Sequence, residues 1–196
     1  MQPLSALAAL LLLAACEAEQ PQAAAQPAAS GRCADSNPEA VAAAQAIPAS
    51  GLPALTGRVV DGAGMLTPQQ AQSLNAMSQQ LEARTTDQLV VVTAASLGGH
   101  EIDAFGVALG RHWRVGQRDK NNGVLLIVAS NERRVRIEVG YGLERILTNE
   151  RAAEIIRSEI LPHFRTGAFA AGISAGSRAI VETLVAQADA PRVGGC

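Results

Sequence analysis

The sequence predicts an α/β fold, a three-layer sandwich in which a mixed, mostly parallel sheet of about four strands has helices on both faces. Two runs, Leu89–Ala94 and Val124–Ala129, are continuously apolar, as strands buried on both faces are. Segments with helical spacing precede and separate these runs, which favours right-handed crossovers between parallel strands. A third run, Arg133–Val139, alternates charged and apolar residues after a short gap, so we expect an antiparallel hairpin near a sheet edge.

The elements follow in the order β-α-β-α-β-β-α-α, and the domain is expected to span residues 55–188. Arg58–Asp61 is predicted to be a short first strand. Thr67 is the predicted N-cap of the first helix, because proline follows it and Gln70 stands at the capping-box position. The second helix is marked by apolar residues at helical spacing: Ile102, Phe105, Leu109 and Trp113. The third helix is expected to begin at Thr148 and to stop at Pro162, and the last to run from about Ala168 to Gln187.

The residues before the domain are predicted to be an export signal and a tether. Leu4–Ala15 is apolar and uncharged, about the length of a signal-peptide core and too short to span a bilayer. It ends at Leu13–Cys16, which resembles the lipobox of bacterial lipoproteins, so residues 1–15 would be removed and Cys16 would carry lipid such as palmitate. An ordinary secretory signal is the alternative. Residues 16–54, rich in Ala, Pro and Gln, are expected to be a disordered tether, and residues 189–196 a tail.

Export would place the protein in the cell envelope, lipid-anchored and facing the periplasm. Cys33 and Cys196 would then lie in an oxidising compartment, where a disulfide between them would tie the ends of the domain together; two unpaired thiols are the alternative. The net charge of −2 gives no electrostatic case for nucleic acid. Arg178 and Glu182 suit a solvated face of the last helix, so we expect no second transmembrane span.

Two glycine motifs are incomplete as catalytic signatures. Gly140-Tyr141-Gly142 lacks the third glycine of a dinucleotide loop, whose place Arg145 occupies. We expect instead that one of these glycines has a positive φ where the chain leaves the strand. Gly172–Gly176 matches the G-x-S-x-G formula, but that motif needs a strand-to-helix turn and here it falls inside a predicted helix. Those glycines are expected to allow close helix packing.

Polar residues gather at both ends of the predicted sheet. The loops at one end of the hairpin should bring together several oxygen-bearing side chains: Asp119, Asn121, Asn122, Tyr141 and Glu144. Such oxygens suit calcium or another divalent cation, whereas the alternative is a pair of solvated turns with Asn and Gly chosen for their backbone angles. Asp61 should leave the opposite end of the sheet, near Glu132.

Three segments resemble the TPM domain family: Gly57–Gln70, Asn121–Glu150 and Ile160–Gly176. The resemblance implies an α/β sandwich that is often exported and membrane-tethered. Some members are described as calcium-binding, acid phosphatase activity is proposed for some, and others act as accessory factors for membrane complexes. The resemblance carries the family's acidic positions to Asp61 and Glu144. The chain departs from the family at Glu132 and Asn149, where Asp is usual.

Two functions follow as alternatives. The first is an exported, membrane-tethered binding or accessory module, with calcium as a candidate ligand, that acts with a protein complex of the membrane or envelope. The second is a metal-assisted acid phosphatase, which would need a nucleophile or a metal-bound water with an acid partner. The candidate metal ligands are Asp61, Asp119, Asn122 and Glu144, and the candidate contacts to a partner or ligand are Asn121, Glu132 and Tyr141.

Overall fold

A computed structural model describes residues 37–189, which form a three-layer α/β/α sandwich. Within these residues the sheet has four strands: β1 (Val59–Asp61), β2 (Gln88–Ala94), β3 (Gly123–Ala129) and β4 (Arg134–Val139). They lie in the order β1-β2-β3-β4, with β1, β2 and β3 parallel and β4 antiparallel to β3. This confirms the predicted fold class.

The helices are α1 (Pro38–Ala44), α2 (Pro68–Thr85), α3 (Ile102–Trp113), α4 (Asn149–Ile155), α5 (Leu161–Arg165) and α6 (Phe169–Asp189). The predicted caps are present. The Thr67 hydroxyl accepts a hydrogen bond from the Gln70 amide at 3.3 Å, and the Gln70 side chain accepts one from the Thr67 amide at 2.8 Å. The Thr148 hydroxyl accepts from the Arg151 amide at 3.2 Å. Both helices therefore begin where their polar side chains satisfy the first free amides.

The core lies on both faces of the sheet. One face is covered by α2, α4 and α6, and its buried residues include Leu74, Leu126 and Ile180. The other face is covered by α3 and the residues before β1, and its buried residues include Val92 and Leu109. β2 and β3 contribute to both faces, which explains why their sequences are continuously apolar.

The third helix does not stop at Pro162 as expected. α4 passes into one π-helical turn, Ile156–Ile160, in which the Leu161 amide donates to the Ile156 carbonyl five residues back. α5 then begins at Leu161, so that Pro162 lies in a first turn, where a missing N–H leaves no hydrogen bond unmade. The proline therefore marks the start of α5.

The predicted tether is too long at its domain end. Pro38–Ala44 form α1, whose Ala40 and Ala44 are buried with Ile47 on the α3 face of the sheet. The Trp113 indole N–H also donates to the Pro53 carbonyl at 2.9 Å. The sequence did not predict α1, because the buried positions of this helix are alanines within an alanine-rich segment.

Several predicted features lie outside the described residues: the signal peptide 1–15, tether residues 16–36, Cys16, Cys33, Cys196 and tail residues 190–196. Among the described residues, one stretch, Phe169–Ala188 of α6, is long and apolar enough to cross a membrane by length and composition. Ile173, Ile180 and Leu184 of this helix are buried in the core, as in the core helix of a globular domain, which meets the same criterion.

Candidate functional site

The two loops at one end of the hairpin lie against each other, as the sequence predicts. The Gly140 amide donates to the Gly123 carbonyl at 2.8 Å, and the Gly142 amide donates to the Asn121 carbonyl at 3.1 Å. Tyr141, between the two glycines, is 53% exposed. This end of the hairpin therefore forms one closed edge of a surface cleft.

The prediction of a positive φ at Gly140 or Gly142 is wrong, because neither residue is among those with positive φ. Their glycine requirement has another cause. A Cβ at Gly140 would overlap the Asn121 carbonyl oxygen, and a Cβ at Gly142 would overlap the carbonyl oxygen of Lys120. The turn thus needs glycine because two backbones approach more closely than a side chain permits.

A cleft of about 640 Å³ lies beside this turn, between α3, β4 and the segment that joins β4 to α4. Gly106 and Gly110 of α3 line it one helical turn apart. A Cβ at Gly106 would lie 3.2 Å from Ile127 Cδ1 and 3.3 Å from Glu138 Oε2. The absence of a side chain at Gly106 therefore leaves room for the Glu138 carboxyl under the helix.

Glu138 lies on the floor of the cleft with its side chain 19% exposed. Its Oε2 is 3.0 Å from Arg136 Nη2, and Arg136 Nη1 is 3.0 Å from Asp103 Oδ1. Burial raises the pKa of Glu138, and the Asp103 and Glu144 carboxylates raise it further, against the opposing effect of Arg136. The charged face of β4 is thus half covered by α3.

The two walls of the cleft carry opposite charges. On one wall, Arg111, Arg114 and Arg118 are exposed, and none of them forms an ion pair within the described part of the chain. The facing wall, from the β4–α4 segment, carries carboxylates and amides: Glu144, Asn149 and Glu150. An anionic group suits the first wall, and a cationic group or a metal ion suits the second.

The structure places the predicted site residues in different surroundings. Asn121, Tyr141 and Glu144 line the cleft, whereas Asp119 and Asn122 do not. Asn122 is buried. Its side-chain oxygen accepts from the Gln117 backbone N–H at 2.8 Å, and its side-chain nitrogen donates to the Thr86 carbonyl at 2.8 Å. Asn122 therefore belongs to the hydrogen-bond network that holds the loop together.

Asp61 and Glu132 lie at the opposite end of the sheet from the cleft, where each fixes a loop. The Asp61 carboxylate accepts from the Met65 and Leu66 amides, both at 3.0 Å, and from the Thr93 hydroxyl. Its oxygens therefore hold the turn after β1.

The Glu132 carboxylate joins the turn between β3 and β4 to the loop after β2. It accepts from the Leu97 amide at 2.9 Å and from the Ser96 hydroxyl at 2.8 Å, and these bonds lower the pKa of Glu132. Within residues 37–189 no group of three or more His, Cys, Asp or Glu side chains is placed to hold a metal ion.

Sequence reasoning missed the residues that form the floor and the basic wall of the cleft: Arg111, Arg114, Arg118, Arg136 and Glu138. The sequence signal that could have located them is the pair Gly106 and Gly110, four residues apart in the predicted second helix, which leaves a gap on one helix face.

The comparisons with known proteins agree with this architecture. The model of the TPM domain family, labelled TPM phosphatase, matches residues 59–183, and the chain belongs to this family. The solution structure of the N-terminal domain of a protein from P. gingivalis is 33% identical with a TM-score of 0.65, and the match covers 78% of this chain and 97% of that one. No curated protein shows significant similarity to the chain.

Two more distant solution structures share the fold. BA42 from the psychrophilic bacterium Bizionia argentinensis is 20% identical with a TM-score of 0.52, over 63% of this chain and 83% of its own. The N-terminal domain of cg2496 from Corynebacterium glutamicum is 14% identical with a TM-score of 0.52, over 74% of this chain and 90% of its own.

Proposed function

We propose that this TPM domain is a binding module whose cleft takes a charged segment of an envelope protein, while lipid on Cys16 holds the domain at the membrane. The observation that carries the proposal is the half-buried Glu138 carboxyl on the floor of the cleft, with its pKa raised by burial and by neighbouring carboxylates. Perturbed ionisable groups in a cleft are characteristic of functional sites.

The charge on the two walls supports a specific mode of binding. Carboxylate groups of the bound segment would contact Arg111, Arg114 and Arg118, whose guanidinium groups suit planar anions. A basic side chain of the segment, or a divalent cation, would lie against Glu144 and Glu150 on the facing wall. Because the walls are open to solvent, binding should weaken as the salt concentration rises.

Calorimetric titration of the purified protein with a glutamate-rich peptide tests this mode. We expect binding that is lost when the three arginines of the basic wall, Arg111, Arg114 and Arg118, are replaced by glutamate. The matched control makes the same charge change at Arg157, Arg165 and Arg178, which are exposed and do not line the cleft. If both triple variants lose binding equally, the effect depends only on the net charge of the protein, which would contradict the proposal.

Calcium is the second ligand that we propose, and its support is the oxygen-rich wall formed by Glu144, Asn149 and Glu150. Affinity should be weak, because few carboxylates are available, and extracellular calcium modules bind at about 10⁻⁴–10⁻³ M. Asn149→Asp adds a carboxylate to this wall and should strengthen binding, whereas Asp61→Asn at the opposite end of the sheet should leave it unchanged. The shift of the melting temperature with calcium measures both effects.

A metal-assisted phosphatase is the alternative function. The unpaired arginines would suit a phosphate, and a carboxyl with a raised pKa would suit a proton donor. Within residues 37–189 no group of three or more His, Cys, Asp or Glu side chains is placed to hold the catalytic metal ion of such an enzyme, so we place binding first. Hydrolysis of p-nitrophenyl phosphate that requires a metal ion and is lost in Glu138→Gln would favour the phosphatase.

A further inference from the structure

The outer edge of β4 has free backbone hydrogen-bonding groups. β4 is the last strand of the sheet, and the Gly140 amide donates to the Gly123 carbonyl next to the pair Val124–Val139. Backbone bonds alternate along an antiparallel pair, so every second residue of β4 points its N–H and C=O away from β3: Val135, Ile137 and Val139. Within the described residues, these outward groups form no hydrogen bond.

A groove of about 570 Å³ follows this edge. Its floor includes Val135 and Ile137, one wall is the first turn of α3 with Ile102, and the other wall is α4 and the π-helical turn, with Ala153 and Ile156. Proteins usually protect such an edge with charged side chains, proline, a bulge or a covering helix or loop. Here the strand is regular over six residues.

The charges on β4 are compensated within the strand and by carboxylates at the start of α3. Arg136 pairs with Asp103 and Glu138, and Arg134 lies 3.4 Å from Glu101. The charged residues of β4 point to the α3 side, and its valines and isoleucine point to the α4 side. A strand that completes this edge must therefore alternate apolar and charged residues, and β4 itself has this pattern.

We propose that β4 pairs antiparallel with β4 of a second copy of this chain, about a two-fold axis at Ile137, to form a continuous sheet of eight strands. The charges favour this register. Centring on Ile137 places Arg136 opposite Glu138 of the second copy and Val135 opposite Val139. Centring on Arg136 or on Glu138 places like charges opposite each other, which destabilises a strand pair.

The same register also satisfies the outward backbone hydrogen-bonding groups of β4. The outward residues form three facing pairs, and each pair exchanges two hydrogen bonds in an antiparallel ladder. The interface is limited to a strand edge and its flanking helices, which places it among small, transient interfaces. Association is therefore expected to be weak and to depend on protein concentration. It does not rest on the proposed function of the cleft.

The test is sedimentation of the purified protein across a wide concentration range, with Val135→Pro and Val135→Ala. Val135→Pro removes an outward N–H without removing a bond to β3, and proline is tolerated at such edge positions. It should weaken association by at least about tenfold. Val135→Ala keeps the outward N–H and should stay within about threefold of wild type. Thermal melts of both variants show whether the domain remains folded.

The register is tested by nuclear Overhauser contacts in a mixture of isotopically labelled and unlabelled protein. We expect a contact between the Hα atoms of Arg136 and Glu138 of different copies, because they form a non-hydrogen-bonded pair. The amides of Val135, Ile137 and Val139 should also exchange more slowly at high protein concentration. A monomer at every concentration, an association that Val135→Pro leaves unchanged, or contacts of another register would overturn the proposal. A monomer that instead binds an added extended peptide at this edge would overturn it as well.

Discussion

Replacing Gly142 by alanine tests how the turn beside the cleft is built. A Cβ at this position would overlap the Lys120 carbonyl oxygen and lie 3.3 Å from the Asn121 carbonyl oxygen. Both obstacles are backbone atoms, so they cannot move aside as a flexible side chain would. The two loops must separate, and the hydrogen bonds that the Gly140 and Gly142 amides donate across the gap are stretched or lost.

The magnitude follows from those two bonds. A protein hydrogen bond contributes about 0.5–1.5 kcal/mol net, so losing both lowers the free energy of unfolding by about 1–3 kcal/mol. Gly57→Ala is the matched control, because a Cβ at Gly57 meets nothing within 4 Å and its φ is not positive. Its effect should stay within about 0.5 kcal/mol.

Gly64→Ala separates close approach from backbone strain. Gly64 has φ +63° and open space around its Cα, so alanine there should cost about 1 kcal/mol through φ alone. Urea unfolding of the three variants gives each free energy. If Gly142→Ala is as stable as Gly57→Ala, the two backbones are not in the contact that the structure shows, and the reasoning is refuted.

Three further predictions concern the cleft, the helix packing and the membrane anchor. Because the pKa of Glu138 is raised in the folded protein, the protonated carboxyl favours the folded state. This contribution to stability is complete below the ordinary pKa of 4.5 and is lost as the pH rises through the raised pKa. Glu138→Gln should therefore gain stability relative to wild type as the pH rises above 4.5 in unfolding experiments, and a constant difference would contradict this. Gly172→Ala should lower the melting temperature, because its Cβ would lie 2.7 Å from the Phe164 ring and 2.9 Å from the Ile160 carbonyl; an unchanged melt would show that α5 can move aside. Labelled palmitate should enter the wild type in cells and not Cys16→Ser, and equal labelling would end the lipoprotein hypothesis.

The fold could be predicted because its signals are local and agree with one another. The apolar runs of β2 and β3, the alternation in β4 and the caps Thr67 and Thr148 each indicate an element without reference to the rest of the chain. The errors in the predicted elements arose where tertiary contacts determine the local structure. α1 is buried through alanines, and the π-helical turn before Pro162 shifts the helix into a new register.

The candidate site was only partly predictable, for a related reason. Hairpin geometry places Asn121 and Tyr141 together, and this follows from sequence distance alone. The position of α3 over β4 does not, because it depends on how Gly106 packs against Glu138. The residues of the basic wall are separated from Glu138 in the sequence, and no local pattern indicates that they share a cleft with it.

Amide shift mapping with the glutamate-rich peptide tests the central claim, that the charged cleft is the binding site, most directly. The account predicts that shifts are confined to the end of α3 with its following loop, residues 107–118, and to residues 138–150. It also predicts that added salt removes them. Shifts that cluster elsewhere on residues 37–189, or binding that leaves the cleft amides unmoved, would contradict the account.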